Sequence, residues 1–274
     1  MAGKKRVPYP AAAITALVIF LGFLLSIVRE ILLPRHHFVQ FSLIPRRDTP
    51  KSGVSRFENI CNNISMPYKN TLKVFAPNCY YHLYGRGVNK MDLFSDREDY
   101  RLLAYQFKKY LTPDFKETRS FKGQEIQLAV NSVSGQVHLY AFCFMPNHFH
   151  LLVKNIEKEG ISKLMRRVLT GYSSYFNNKY GRQGPLIQGS YRAVGVGTGE
   201  QFIYVSRYIH LNPVKSGLVK KAKDYEYTSY KNYLEKKELT WLKLNEQLLS
   251  STDYRNIELY CKDINEDVKS GIII

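Results

Sequence analysis

Two histidines separated by one bulky apolar residue are the strongest chemical signal in this chain. His148 and His150 flank Phe149 in a run that reads Met-Pro-Asn-His-Phe-His-Leu-Leu-Val. On a β-strand, residues two apart point to the same face, so both imidazoles would project together while Phe149 enters the core. Neutral imidazole is a common metal ligand, and the pair would supply two ligands. An ordinary strand with two exposed histidines has the same pattern, so the pair alone decides nothing.

A later stretch carries a tyrosine and a carboxamide one helical turn apart. In the helix predicted at 200–212, residues Tyr204, Tyr208 and Asn212 are spaced by four and share one stripe beside the apolar one. Such a pair can address one small site. The same spacing fits a Tyr208 that packs at the core edge and an Asn212 that caps the helix before Pro213.

The elements that would position these residues alternate as strand, helix, strands, helix, strand and helix. This order predicts an α+β fold with a ferredoxin-like antiparallel sheet and helices on one side. Ser95 and Glu98 predict a capping box at the first helix, and residues 131–135 predict a hairpin turn between two strands. Beside the histidine strand, the predicted strands are 80–84, 124–130, 136–145 and 191–196, and the predicted helices are about 96–111, 160–180 and 200–212.

Composition indicates a polyanionic partner. The 274 residues include 40 Lys and Arg against 23 Asp and Glu, which gives a net charge of +17. A surplus of this size favours nucleic acid or an anionic membrane surface. The 21 tyrosines add rings that can stack on unpaired bases.

Cysteine spacing indicates a chain without metal-binding or disulfide motifs. Cys61, Cys79, Cys143 and Cys261 lie far apart, and no pair has CxxC spacing. This pattern predicts neither a zinc site nor a disulfide framework, which fits a reducing cytoplasm. Cys143 lies within an apolar strand and is predicted to be a buried thiol.

The chain divides into three segments. Residues 1–65 contain an almost continuous apolar run at 11–28, preceded by three basic residues and followed by a basic linker. The run predicts an N-terminal hydrophobic helix able to reach across a membrane with its amino terminus inside. Because Met66 opens the part that reads as a compact domain, 66–235, the alternative is an over-extended gene start. Residues 236–274 predict a C-terminal helical extension.

Five motifs, in order along the chain, resemble those of IS200/IS605-type transposases with single-tyrosine, His-hydrophobe-His (HUH) chemistry. The closest subgroup is the REP-associated tyrosine transposases. The resemblance covers about residues 66–234 and extends to the tail around 241–260, whereas residues 1–65 lie outside the family pattern. The motifs are Tyr81–Gly87, Met145–His150, Tyr175–Arg182, Gln188–Ala193 and Arg207–Val214.

This resemblance implies a catalytic site. In the family, two histidines bind a divalent metal, a tyrosine is the nucleophile, and a Gln or Asn four residues later completes the metal site. By position these are His148, His150, Tyr208 and Asn212, with Tyr204 as a rival nucleophile one turn earlier. The implied cofactor is Mg²⁺ or Mn²⁺, and histidine ligands suit Mn²⁺ better.

The resemblance also implies a partner, namely single-stranded DNA that folds into hairpins of the repeated extragenic palindrome type. Relatives act as dimers or as single chains, so a monomer and a homodimer both stay open. Basic side chains would contact phosphates and position the strand. The candidate DNA contacts are Arg86, Lys90, Lys163, Arg166, Arg167, Arg182 and Arg192.

The sequence therefore predicts a metal-dependent transposase that cleaves and rejoins hairpin-forming single-stranded DNA through a 5′-phosphotyrosine. One alternative is a hairpin-binding protein that does not cut. Another is a membrane-anchored nucleic-acid-binding protein that uses residues 11–28 for membrane contact. The predicted location is cytoplasmic and nucleoid-associated, or at the inner membrane if residues 1–65 are expressed.

Overall fold

The strands in the described part of the chain form one antiparallel sheet and one separate hairpin. The structure is a computed structural model that describes residues 74–250 and 252–260. Its strands are β1 (Tyr80–Arg86), β2 (Lys116–Phe121), β3 (Gln124–Ala129), β4 (Val137–Met145), β5 (His148–Asn155) and β6 (Arg192–Val196). The four-stranded sheet has the order β4-β5-β1-β6, and β2 pairs with β3.

Three α-helices longer than five residues pack around this sheet in the described part of the chain. They are α1 (Arg97–Leu111), α2 (Gly160–Lys179) and α3 (Gly199–Lys215). Two short helices, α4 (Tyr230–Leu234) and α5 (Glu246–Ser250), and a 3₁₀ helix (Thr252–Tyr260) follow. The predicted mixture of helices and an antiparallel sheet is confirmed.

Helices cover both faces of the sheet. Alternation along β5 directs Phe149 and Leu151 into the core that includes Leu103 of α1 and Leu164 of α2. Leu152 enters a second core with residues of α3. The prediction of helices on one side is therefore wrong. Phe149, Leu151 and Val153 make one face of β5 apolar, whereas the other face carries Leu152 together with His148 and His150.

Capping explains where the first helix begins. Asp96, and not Ser95, is its N-cap, and the capping box is completed by Asp99 in place of Glu98. The Asp99 carboxylate is fully buried and also accepts a hydrogen bond from Tyr175 of α2 at 3.1 Å. That contact stabilises the one-residue shift. The helix ends at Leu111, before Pro113, as predicted.

The hairpin predicted around residues 131–135 is wrong. The strand β3 pairs with β2 through Lys122 and Gly123, which have φ of 49° and 78°. Positive φ at both turn residues is the geometry of a tight hairpin turn. The sequence pattern did not indicate β2, because its residues, Lys-Glu-Thr-Arg-Ser-Phe, are mostly polar and lack an apolar face.

Helices α2 and α3 follow the predicted bounds closely. Gly181, with φ of 61°, follows the end of α2. Thr198 precedes the predicted helix 200–212 and is a typical N-cap residue, and its side chain caps α3 by accepting a hydrogen bond from the Gln201 N–H at 3.1 Å. However, Pro213 lies inside α3, which ends at Lys215. A proline in the last turn removes one backbone donor without stopping the helix.

The structure tests two further predictions, both of which concern cysteines. Cys143 is a fully buried free thiol, as predicted. Cys79 is disulfide-bonded, so the prediction of no disulfide is wrong at this position. The predicted membrane segment at 11–28 lies outside the described residues. Among the described helices, none has both the length and the apolarity needed to cross a membrane.

Candidate active site

The register of the sheet gathers the chemical side chains on one face. His150 lies opposite Tyr84, and His148 lies opposite Arg86, where β5 pairs with β1. On the other side of β1, Arg192 of β6 lies opposite Tyr84. Directly paired residues point to the same face. Two imidazoles, a phenol and two guanidinium groups therefore occupy the face that α3 covers.

A glycine on β1 keeps this register tight. Gly85 lies opposite Phe149, and a Cβ on Gly85 would lie 2.6 Å from the Phe149 ring. A side chain at this position would push the two strands apart. Gly85 of the Tyr81–Gly87 motif therefore allows β1 and β5 to pack closely. The same motif places Arg86 beside the histidines.

Helix α3 brings Tyr208 to the histidines. Its Val205 and Ile209 are buried in the second core, which fixes the rotation of the helix. The Tyr208 ring then packs edge-on against His150, with 5.4 Å between ring centroids. Tyr204 packs against the second core one turn earlier.

These residues line one cavity of about 430 Å³, which we call the site cavity. Both predicted histidines and Tyr208 line it. None of the described residues that line it is acidic. Its lining residues are Tyr84, Gly85, Arg86, His148, His150, Gln188, Ser190, Arg192 and Tyr208.

Each histidine of the pair uses Nδ1 for a side-chain partner. His148 Nδ1 lies 2.6 Å from Asn147 Oδ1, so this nitrogen carries the proton and donates it. His150 Nδ1 lies 3.0 Å from His82 Nε2. Ligand histidines are oriented in this way, because a bond at one ring nitrogen directs the other toward the ion. These two bonds leave Nε2 of each ring as the nitrogen that could coordinate an ion.

Burial keeps the three histidines of this face uncharged. It lowers the pKa of His148 to about 4, with a further lowering by Arg86 and a partial opposing effect of Asn212. Burial also lowers the pKa of His82 to about 4. The pKa of His150 lies well below its ordinary value because of burial and the two neighbouring imidazoles. Neutral imidazole is the form that binds metal.

Asn212 interacts with His148 and with Tyr208, although it is not among the described residues that line the site cavity. It raises the pKa of His148 and lowers that of Tyr208, so its amide interacts with both groups. Its Nδ2 is buried and has no hydrogen-bond partner among the described residues. Rotation of the amide by 180° exchanges its nitrogen and oxygen, so the same position can present an oxygen atom able to bind a cation. Burial raises the pKa of Tyr208 overall, which leaves a protonated phenol at neutral pH.

The donor set fits a divalent transition-type cation. Within the described residues, no group of three or more His, Cys, Asp or Glu side chains is arranged to hold a metal ion. The residues that could hold one are two neutral imidazoles and an amide, namely His148, His150 and Asn212. Imidazole with an amide oxygen suits Mn²⁺ better than Mg²⁺ by ligand type.

The seven predicted DNA contacts separate into two groups. Arg86 and Arg192 line the site cavity, and Arg166 lines a neighbouring cavity beside α2. The other four line neither cavity. Lys90 is exposed after β1, and Lys163 forms an ion pair with Glu159 at 3.5 Å. Arg167 donates a hydrogen bond to the Asn131 carbonyl at 2.6 Å, and Arg182 donates one to Asn177 Oδ1 at 2.9 Å.

Two further histidines are informative. From the sequence, His82 on the first strand favours a structural role, with support of the site as the alternative, and in the structure it contacts both His150 and the Tyr208 ring. Its alternation with Tyr84 and Arg86 on one strand was the signal that placed it on this face. By its position on the predicted helix, His210 favours a surface location over a ligand role, and the surface location is wrong. It is fully buried and bonded to Ser229 at 2.7 Å.

Comparison with known proteins confirms the family resemblance. Residues 119–212 match the family model described as "Transposase IS200 like", a segment that contains both histidines, Tyr208 and Asn212. No curated protein matches the chain. One similar solved structure is described as "Structure of the REP associates tyrosine transposase bound to a REP hairpin". It has 13% identity and a TM-score of 0.44, and the match covers 68% of this chain and 96% of that chain.

Proposed function

We propose that the protein is a metal-dependent DNA endonuclease and strand transferase that acts on hairpin-forming single-stranded DNA. One observation carries the proposal, namely that His148, His150 and Tyr208 line a single cavity with two arginines. The family match supports the transposase class. The resemblance in the motifs supports the hairpin substrate.

The arginines give the cavity its affinity for a phosphodiester. Arg86 and Arg192 are both exposed and both line the cavity, whose described lining has no acidic side chain. Guanidinium groups bind phosphate oxygens through paired N–H donors, which position the strand. His150 is 5% exposed at the base of the cavity, so a scissile phosphate must be presented by an unpaired, flexible strand.

The chemistry assigned to Tyr208 is covalent. Its phenol oxygen forms a bond to phosphorus, the bond from phosphorus to the 3′ oxygen breaks, and the products are a 5′-phosphotyrosine and a free 3′-OH. The proton of the phenol leaves, and the departing 3′ oxygen gains one. Reversal by another 3′-OH rejoins the strand, and the retained bond energy removes any need for ATP.

Residues around Tyr208 favour this step. Burial disfavours the phenolate, whereas Asn212 partly offsets that effect by lowering the pKa of Tyr208. His148, His150 and Asn212 would hold Mg²⁺ or Mn²⁺, and the bound ion would supply Lewis-acid stabilisation of the charge that develops on the phosphate. The edge-on packing of Tyr208 against His150 keeps the nucleophile beside that charge.

The test is covalent adduct formation by the full chain. Labelled hairpin oligonucleotides from the palindromic repeats of the source genome are mixed with protein and Mn²⁺ or Mg²⁺. The wild type is expected to form an adduct that resists denaturant, and Tyr208→Phe and His150→Ala are expected to form none. Tyr204→Phe is the matched control and should retain the adduct.

Each other result has a defined meaning. An adduct that survives in Tyr208→Phe and disappears in Tyr204→Phe would move the nucleophile one turn. Tight hairpin binding with no adduct under either metal would support the hairpin-binding alternative. Fusion reporters at Met1 and Met66 separately test the membrane-anchored alternative, which requires residues 1–65 to be translated. The cytoplasmic, nucleoid-associated location and the oligomeric state stay proposals alongside this function.

A further inference from the structure

A short helix near the end of the described chain packs against the helix that carries Tyr208. It is the 3₁₀ helix Thr252–Tyr260, which we call the tail helix. Its residues Tyr254 and Ile257 are buried in the second core together with Ile209 of α3. None of the described residues of the tail helix lines the site cavity. The tail helix therefore takes no direct part in the proposed cleavage step.

The Tyr254 hydroxyl joins the tail helix to α3 through two hydrogen bonds. It lies 2.6 Å from Ser206 Oγ and also bonds His210 Nδ1. All three side chains are buried, so water cannot replace either bond. His210 Nε2 lies 2.7 Å from Ser229 Oγ, which accepts a hydrogen bond from the Phe142 N–H of β4 at 2.9 Å. A continuous chain of hydrogen bonds thus runs from the tail helix through α3 to the sheet.

This chain of bonds holds α3 from the side opposite to Tyr208. Ser206 and His210 are four residues apart, so they share one side of the helix. Tyr208 lies midway between them in sequence, and at about 100° per residue it projects from the other side. A further contact joins the same two helices, because the Arg207 guanidinium lies 3.9 Å from the centre of the Tyr260 ring. Helix α3 is therefore held between the sheet that carries the histidines and the tail helix.

We propose that Tyr254 is a positioning residue that sets the distance between Tyr208 and the histidine pair of β5. The inference rests on the proposed function. The histidines are fixed by β5 and the nucleophile by α3, so their separation depends on how α3 lies on the sheet. Without the Tyr254 hydroxyl, Ser206 Oγ and His210 Nδ1 lose a partner that water cannot replace, which favours a shift of α3. Displacement of a reacting group by about 1 Å can slow a reaction about 100-fold.

The experiment measures adduct formation by Tyr254→Phe in the full chain, a variant that keeps the ring and loses only the hydroxyl. Palindromic-repeat hairpins and Mn²⁺ are supplied at saturating concentrations, and the single-turnover rate is measured beside hairpin affinity from fluorescence anisotropy. The rate should fall by about 10- to 100-fold. Hairpin affinity should stay within about twofold of wild type, because Arg86 and Arg192 lie on the sheet and not on α3.

A matched control separates positioning from loss of stability. Tyr225→Phe removes another buried hydroxyl of the second core, one that donates to the Phe144 carbonyl at 2.8 Å and not to α3. Both variants should lower the urea midpoint, but Tyr225→Phe should keep the wild-type rate. Ser206→Ala removes the other side of the bond to Tyr254 and should also slow the reaction. The double variant should be no slower than Tyr254→Phe alone, because Ser206 has then already lost its partner.

The outcomes separate this inference from the function on which it rests. A rate for Tyr254→Phe that equals or exceeds that of wild type would overturn the inference and leave the proposed function intact. The same follows if Tyr225→Phe slows the reaction as much for an equal drop in urea midpoint, or if hairpin affinity falls in parallel with the rate. If Tyr254→Phe does not fold, a wild-type rate in Ser206→Ala overturns the inference. Absence of any adduct in the wild type would overturn the proposed function, and this inference with it.

Discussion

The sharpest test of the site concerns His82, which contacts the proposed ligand His150 and lies outside the proposed ligand set. His82 Nε2 and His150 Nδ1 lie 3.0 Å apart, and the two rings stack with 5.1 Å between centroids. We predict that His82→Phe, which keeps an aromatic ring and removes both nitrogens, weakens Mn²⁺ binding. The loss should fall between 10- and 100-fold, roughly what removal of such an orienting partner costs.

The same magnitude follows from the bond that is lost. Ten- to 100-fold corresponds to about 1.4 to 2.7 kcal/mol. A buried polar atom left without its partner costs about 1 to 3 kcal/mol, and His150 Nδ1 would be such an atom. Because the pKa of His82 is about 4, the substitution removes no charge at neutral pH. The effect should therefore come from orientation of the His150 ring and change little with ionic strength.

Mn²⁺ affinity is measured by calorimetry on the full chain, and adduct formation is measured as a function of Mn²⁺ concentration. The expected result is a shift to higher Mn²⁺ with a recovered maximal rate. The matched control is His138→Phe on β4, a half-buried histidine whose pKa burial also lowers. A folded His82→Phe protein whose affinity stays within about twofold of wild type would refute the reasoning, since a lost orienting bond costs at least about tenfold. If the wild type binds no Mn²⁺, the metal proposal itself fails.

Three further predictions concern the elements that hold the site. Gly85→Ala should lower the free energy of unfolding by about 1 to 3 kcal/mol, because the new Cβ would meet the Phe149 ring. Urea denaturation measures this change, and an unchanged midpoint would contradict the close packing of Gly85 against Phe149. Thr198→Ala should cost about 1 kcal/mol at the start of α3, whereas Thr198→Ser should cost little because it keeps the hydroxyl. Burial lowers the pKa of His210 to about 3 from 6.5, so the unfolded chain binds the extra proton as pH falls. The contribution of His210 to the free energy of unfolding is therefore complete above pH 6.5 and falls by about 2 kcal/mol by pH 5. Urea denaturation above pH 6.5 and at pH 5 measures this loss, which should be smaller in His210→Asn.

Local patterns predicted the elements whose own residues carry the signal. Alternation placed the two histidines on one face of β5, and helical spacing placed Tyr208 and Asn212 on one stripe of α3. The Thr198 cap was also evident, because a cap and its helix are neighbours in the chain. In contrast, β2 has no apolar face, and its pairing with β3 depends on a short turn between exposed strands.

What the sequence could not supply is the pairing of strands far apart in the chain. His82 and His150 are separated by 68 positions, and only the antiparallel register of β1 with β5 brings their rings together. A shift of that register by one residue would turn the β1 side chains to the opposite core. Gly85 favours the observed alignment, because its missing side chain leaves room for the Phe149 ring opposite it. The same alignment places Arg86 opposite His148 and Tyr84 opposite His150. The charge that would hold a phosphate and the imidazoles that would hold a cation thus depend on one packing contact, so Gly85→Ala should impair Mn²⁺ and DNA binding together.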